Sequence, residues 1–160
     1  MEKDLIAQII ETWQIHNRIN LYLLKAIPDE GLSARPEAKR QGRTVAQQFA
    51  HMHNVRLAWF MKSQADIIGK LKIIDREKAE NKKLLVESFT KSGEMIENFL
   101  RKSLSEGLNL KDFKPHTVAF IGYLISHESH HRGSIMLALK QSGFKIPQGV
   151  QPGIWEWGKR

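Results

Sequence analysis

The segment TVAFIGYLISHESHHRGSIMLALK, residues 117–140, decides the architecture that we expect for this chain. Its apolar residues recur at steps of three and four, which is the spacing of one face of an α-helix. This face comprises Phe120, Tyr123, Leu124, His127, His131, Ile135 and Ala138. Gly143 follows as a helix-terminating residue, with Pro147 shortly after it. The sequence therefore predicts a long helix that ends near Lys140 and turns both of these histidines inward.

Two histidines of this helix have the spacing of a metal-binding pair. His127 and His131 are four residues apart, so their imidazoles lie one above the other on the helix. The segment also matches the pattern H-E-x-x-H, in which Glu128 would be the general base of a metalloprotease. Such an enzyme holds the motif in a cleft under a sheet, and this chain has no convincing strand. Cysteine is absent, so nitrogen and oxygen atoms must supply any further ligands.

The composition, with 41% hydrophobic residues, is that of one folded domain, which we expect to span residues 1–160. The N-terminus lacks the features of a signal peptide, and no segment approaches the ~20 apolar residues of a membrane span. We therefore expect a cytoplasmic protein without membrane contact. Lys and Arg number 25 against 17 Asp and Glu, a net charge of +8, but the basic residues are scattered in short groups. Scattered charge is typical of a solvated surface, so nucleic acid is not an expected partner.

An amphipathic helix is also predicted for residues 2–27, at the start of the chain. Its inner face comprises Ile6, Ile9, Ile10, Trp13, Asn17, Leu21 and Leu24. His16, Asn17 and Asn20 are polar residues on or near this face, where unpartnered amides are costly. Two interpretations stay open for them: a solvent-facing flank or hydrogen-bonded core amide, and a position in the same cavity as the histidines.

Two more helices complete a predicted all-α four-helix bundle. Thr44 is expected to begin the second as its N-cap, with Gln47 completing a capping box. Asp75 is expected to cap the third, which keeps helical spacing to about Ser103. Residues 63–74 read as a connection with one helical turn. In such bundles, metal sites are built from side chains on facing helices.

The second helix offers two histidines as a third ligand. At about 100° per residue, its apolar face comprises Val45, Ala46, Phe49, Met52, His53, Leu57 and Phe60. His53 lies near the middle of this face, and His51 lies on nearly the opposite side. Periodicity alone therefore favours His53 as the inward-facing residue.

Two motifs resemble a known family. The pattern TVAQQFAHM at residues 44–52, followed by Trp59, and the pattern ISHESHHRGSI at residues 125–135 are similar to the two signature helices of the DinB-like (damage-inducible) superfamily. The resemblance implies a four-helix bundle, often dimeric, with a three-histidine metal site. Carried over by position, the ligands are His127 and His131 together with His51, the seventh residue after the capping threonine, with His53 as the alternative.

The resemblance implies a divalent transition metal, zinc or nickel in the first place and iron as a further option. It also implies a metal-dependent hydrolase or a transferase that uses a low-molecular-weight thiol, which would compensate for the missing cysteine. The alternative is a non-catalytic stress-response module that binds nucleic acid or a protein partner. A homodimer and a small-molecule substrate or thiol are the expected partners.

Five further residues have expected roles. Glu128 and His130 adjoin the histidine pair and are candidates for proton transfer or for orienting the ligands. Glu128 is about 100° around the helix from His127, so an exposed position is the alternative expectation for it. Arg132 is expected in a surface ion pair, with a substrate carboxylate as the alternative partner. Trp155 and Trp157 are expected to pack on the body of the protein or on a second subunit.

Overall fold

A computed structural model describes residues 2–36 and 42–160. These residues form four long and two short α-helices, and no strand occurs among them, which confirms the predicted all-α bundle. The bounds are α1 Glu2–Ala26, α2 Val45–Met61, α3 Ala65–Ile68, α4 Lys82–Glu106, α5 Thr117–Gln141 and α6 Val150–Gly153. Single 3-10 turns cover Asp29–Ser33, Arg76–Lys78 and Trp157–Lys159. The expectation of a single domain over residues 1–160 stays a prediction.

The helix ends follow the local chemistry of the sequence, with one exception. Thr44 caps α2, and its side chain and that of Gln47 bond each other's backbone in the predicted capping box. The predicted start of α4 at Asp75 is wrong. The side chain of Asp75 makes no capping bond, and Asn81 instead accepts a hydrogen bond from the Leu84 amide to begin α4. Both residue types favour the N-cap position, so their types alone did not decide between them.

The apolar interior consists of two clusters of side chains. Helix α1 packs mainly on α4, and α2 packs on both α4 and α5. One cluster lies around Phe49, Phe89 and Ile135, and the other lies around Phe60, Phe99 and Phe120. Along each of the four long helices, buried polar residues lie between the residues of the two clusters and form a polar layer, which comprises His16, Asn20, His53, Arg56, Ser92, Glu128 and His131. Gln48 of α2 and Ser103 of α4 are also buried but lie outside this layer.

The inner face of α1 is rotated from the predicted one. Ile6, Asn17 and Leu21 are only partly buried, whereas His16 and Asn20 are fully buried. The buried face also comprises Ile10, Trp13, Ile19, Leu23, Leu24 and Ile27. Of the positions that the sequence left open for His16 and Asn20, the hydrogen-bonded position in the core is the one observed, because both side chains bond Glu128 inside the bundle.

Within the two described ranges, no helix combines the length and apolar composition that a bilayer crossing requires.

Candidate metal centre

Three histidines meet in the groove between α2 and α5. One ring nitrogen from each of His51, His127 and His131 can be chosen so that all three atoms lie within 4.8 Å of one another. The centroid of the His51 ring is 5.3 Å from that of His127 and 4.9 Å from that of His131. The two α5 rings are 4.7 Å apart because they lie one helical turn from each other. The structure thus brings together the three residues that the family resemblance implied as metal ligands.

The spacing of this group fits one transition-metal ion after small side-chain rotations. Metal–nitrogen bonds of about 2.0–2.1 Å place two nitrogens of a tetrahedral site roughly 3.4 Å apart. The observed limit of 4.8 Å therefore leaves a gap that torsions of the histidine side chains can close. His127 Nδ1 is also buried without a hydrogen-bond partner among the described residues. A buried polar atom of this kind is costly unless a ligand or ion satisfies it.

The protonation states of the three rings also suit metal binding. Burial, together with the nearby Arg43 and His127, lowers the pKa of His51 to about 4. Burial and the two neighbouring histidines of the group lower the pKa of His131 to about 4. Burial lowers the pKa of His127 as well, against the opposing effect of Glu128. All three imidazoles are therefore neutral at pH 7, and each has a lone pair that can bind a cation.

Gln48 orients one of the rings. Its amide oxygen lies 3.2 Å from Nδ1 of His131, and the Gln48 side chain is buried one turn before His51 on α2. An amide oxygen only accepts hydrogen bonds, so Nδ1 carries the proton and donates it. The lone pair of His131 is then on Nε2. A partner of this type fixes the ring orientation of metal-binding histidines.

One side of the group is open and is bordered by aromatic rings. His51 and His127 are only half-buried. The ring of Tyr123 stacks on that of His127, with centroids 6.0 Å apart, and Trp59 meets Tyr123 edge to face at 5.4 Å. Arg43 is exposed and close enough to lower the pKa of all three histidines. The open side therefore combines aromatic surface with a positive charge.

His53 lies apart from this group. It is buried on α2, as its periodicity predicted, and its Nε2 is 3.0 Å from the carbonyl oxygen of Lys72 in the connection that follows α3. A histidine that is buried in the bundle, such as His53, is thus not necessarily one that joins the histidine group, as the half-buried His51 does. The group lies at the edge where α2 meets α5, and a count of apolar neighbours along α2 could not find that edge.

The expectation that Glu128 is exposed is wrong. Its side chain is fully buried, and its two oxygens lie 2.7 and 2.8 Å from Nε and Nη2 of Arg56. His16 Nε2 at 2.8 Å and the amide nitrogen of Asn20 at 2.6 Å bond the same carboxylate. Burial alone would raise the pKa of Glu128, but these groups hold that pKa well below its usual range. The carboxylate is ionised, and both of its oxygens accept hydrogen bonds from side chains of α1 and α2.

The remaining candidate for proton transfer, His130, is exposed beside the group. Its ring centroid is 5.5 Å from that of His131. A role in proton transfer stays a prediction for both His130 and Glu128.

Sequence reasoning missed Arg56. This residue is fully buried, and it follows His53 by three residues on the apolar face of α2. A charged residue in the middle of an apolar face signals a buried partner of opposite charge, and Glu128 holds the matching position on α5.

Comparison with known proteins identifies relatives but no activity. A family model described as "DinB family" matches residues 1–153. The chain is 21% identical over 159 residues to a protein of Bacillus subtilis (strain 168) described as "Uncharacterized protein YrdA". That alignment covers 96% of this chain and 93% of the relative. No solved structure matches the chain.

Proposed function

The chain belongs to the DinB family, and from this premise we propose that it is a metal-dependent enzyme whose cation is bound by His51, His127 and His131. The observation that carries the proposal is the meeting of three neutral imidazole nitrogens within 4.8 Å in a half-open groove. Structural zinc sites have four protein ligands, whereas catalytic sites commonly have three and keep a position open. Three ligands in an accessible groove therefore favour chemistry over a purely structural ion.

Zinc and nickel are the cations that we propose first, with iron as a further option. All three bind imidazole readily, and affinity for imidazole does not separate them strongly. A bound cation of this kind supplies a Lewis acid that favours the deprotonated form of a water molecule or a thiol near neutral pH.

The residues around the group suit an anionic nucleophile and a substrate with apolar surface. Gln48 holds His131 with its Nε2 lone pair free. Arg43 adds positive charge that stabilises an anion in the groove. Tyr123 and Trp59 offer ring faces and edges to an apolar substrate. His130 is exposed beside His131 and is the histidine that we propose for proton transfer.

Two reaction classes fit this site. In a hydrolase, water would be the nucleophile, and in a transferase a low-molecular-weight thiol would be. The chain has no cysteine of its own, so a thiol nucleophile must arrive as a cosubstrate. We further propose a cytoplasmic homodimer, as the resemblance to the family suggests, and its mass in solution tests the dimer directly.

Metal analysis of two single variants tests the proposed ligands. Protein purified without an affinity tag should bind about one equivalent of zinc or nickel, and His51→Ala should lower the affinity by at least about 100-fold. His53→Ala should retain the metal, because its imidazole bonds a backbone carbonyl away from the group. His130→Ala, on the exposed side of α5, is a second control that should retain it too.

Two other outcomes of these measurements would contradict the proposal. Less than about a tenth of an equivalent in the metal-loaded wild type, with unchanged stability after chelation, contradicts a metal centre of this strength. Loss of metal in His53→Ala, with retention in His51→Ala, contradicts the assignment of ligands. An activity screen of metal-loaded protein against esters, and against electrophiles with small thiols, then separates the hydrolase from the transferase, with His51→Ala as the inactive control.

A further inference from the structure

A second groove, of about 450 Å³, lies between α5 and the C-terminal segment. Arg132 and Met136 line it from α5, and Ile154, Trp155 and Trp157 line it from the C-terminal segment. None of the three histidines of the metal centre lines this groove. On a helix, Met136 is about 180° from His127, so the two sites occupy different faces of α5.

The C-terminal wall of the groove is fixed by contacts with α1. The guanidinium of Arg160 lies 3.7 Å from the ring centroid of Tyr22, and Arg18 donates a 2.6 Å hydrogen bond to the carbonyl oxygen of Arg160. Arg160 Nε in turn donates to the carbonyl oxygen of Gly153. These contacts hold the segment in place, yet Trp155 is 76% exposed. Trp155 therefore does not pack on the body of the protein, and packing on a second subunit, the other expectation for it, stays a prediction.

Arg132 brings a charge to this groove that no carboxylate neutralises. Its three hydrogen bonds go to Nδ1 of His16 at 3.3 Å, to the amide oxygen of Asn20 at 2.7 Å and to the hydroxyl of Ser129 at 2.7 Å. All three acceptors are uncharged, because burial lowers the pKa of His16. The expected ion pair of Arg132 is absent from the described part of the chain. A guanidinium has five N–H groups, so two more hydrogen bonds can be donated.

The nearest buried carboxylate is already balanced. Glu128 forms its ion pair with Arg56, and both of these side chains are fully buried. Arg56 and Arg132 together carry two positive charges, and Glu128 carries one negative charge. The positive charge that is left over is that of Arg132, which lines the groove. The Arg132 side chain is half-buried, so a bound anion would offset the free-energy cost of holding its guanidinium partly away from water.

We propose that this groove binds a small organic carboxylate with an aromatic or aliphatic body, independently of the metal centre. The two remaining N–H groups of Arg132 would bind the carboxylate, whose planar pair of oxygens matches a guanidinium. The apolar body would lie against Trp155 and Met136. A monoanion fits better than a phosphate dianion because only one positive charge is left to balance. The volume is within the range of small-molecule sites, about 300–1,000 Å³.

Calorimetric titration of the full-length protein with phenylacetate and with hexanoate tests the proposal. We expect saturable binding of at least one acid with one site per chain. The uncharged analogue, phenylacetamide or hexanamide, should bind at least about ten-fold more weakly, because it lacks the charge-assisted bonds. Arg132→Gln should weaken binding of the acid to the level of its amide.

Trp155→Ala is the second variant and keeps the test valid if Arg132→Gln fails to fold. Its side chain is largely exposed, so the fold should be unaffected, and we expect binding about ten-fold weaker. Leu137→Ala is the matched control. Leu137 is an apolar residue of α5 that is 50% exposed and does not line the groove, so this variant should bind the acid as tightly as the wild type does. His51→Ala should also bind the acid normally, which separates this site from coordination to a metal.

Four results would each overturn the proposal. These are no saturable binding of either acid, equal affinity for the acid and its amide, unchanged affinity in Trp155→Ala, and loss of binding in His51→Ala. The first three leave the metal centre untouched, so the failure of one proposal can be told from the failure of the other.

Discussion

The carboxylate of Glu128 is the central residue of the polar layer within the bundle. It joins α5 to Arg56 of α2 and to His16 and Asn20 of α1. Arg56 extends the contacts to α4 through the carbonyl oxygen of Phe89, and its guanidinium lies 4.0 Å from the centroid of the Phe89 ring. Buried charges are tolerated only when they are paired and hydrogen-bonded, a condition that Glu128 and Arg56 meet together. Removing either charge therefore leaves the other without its partner.

Glu128→Gln should lower the free energy of unfolding by about 3–5 kcal/mol, because it leaves the charge of Arg56 buried without a counter-ion. Urea denaturation followed by circular dichroism measures the change. Glu97→Gln is the matched control, because Glu97 pairs with a half-exposed Arg101 on α4. Its loss should cost no more than about 1 kcal/mol. Equal effects of the two substitutions would contradict the structural importance of the buried ion pair.

Helices α1 and α4 approach each other closely at Gly93. The indole nitrogen of Trp13 donates a 3.0 Å hydrogen bond to the carbonyl oxygen of Gly93. A Cβ atom at position 93 would lie 2.2 Å from the amide nitrogen of Asn17. Asn17 cannot turn away freely, because its oxygen accepts a hydrogen bond from Arg56. Glycine at this position thus sets the distance between the two helices.

Gly93→Ala should therefore destabilise the protein by about 1–3 kcal/mol through overpacking, despite the higher helix propensity of alanine. Gly122→Ala on α5 is the control, since nothing lies within 4 Å of a Cβ at that exposed position. It should stabilise the protein by about 0.5–1 kcal/mol. Thermal unfolding of both variants measures the difference. A stabilising Gly93→Ala would show that α1 and α4 can separate without loss.

The burial of several histidines makes the free energy of unfolding of the protein depend on pH. The pKa is lowered for five histidines, of which four lie in the metal centre or within two residues of it. They are His16, His51, His53, His127 and His131. The unfolded chain binds protons at these positions below about pH 6.5, whereas the folded chain resists protonation. Acid therefore favours the unfolded state.

The free energy of unfolding of the metal-free protein should fall as the pH is lowered from 6.5 towards 4.5. The sign follows because the unfolded state carries more protons than the folded state throughout this window, and stability then rises with pH. Carboxylates begin to titrate near the lower end of this window, and those whose pKa is lowered in the folded state, Glu87, Glu128 and Glu156, change the stability in the same direction. Urea denaturation at several pH values measures the slope. His131→Gln removes one of the titrating groups and should flatten the profile, and a profile already flat in the wild type would contradict the lowered pKa values.

The sequence alone was enough to predict the four long helices, the capping box at Thr44 and the buried face of α2, because helical periodicity and capping boxes are local properties that neighbouring residues encode. The same reasoning left the positions of His16 and Asn20 on α1 open, and both are buried because Glu128 lies opposite them. A polar residue is buried when another helix supplies its partner, and the sequence of one helix does not contain that information.

Helical periodicity did not establish which histidine of α2 meets the pair on α5 or which polar groups form the interior. The family resemblance implied the first, and the packing of the helices establishes the second. His51 and His53 are both on α2, but only the packing of α5 along one edge of α2 brings His51 to His127. The charge left on Arg132 likewise became apparent only when Glu128 was found with Arg56. Distances between side chains on different helices depend on how those helices pack, whereas periodicity describes only the angle of a residue around its own axis.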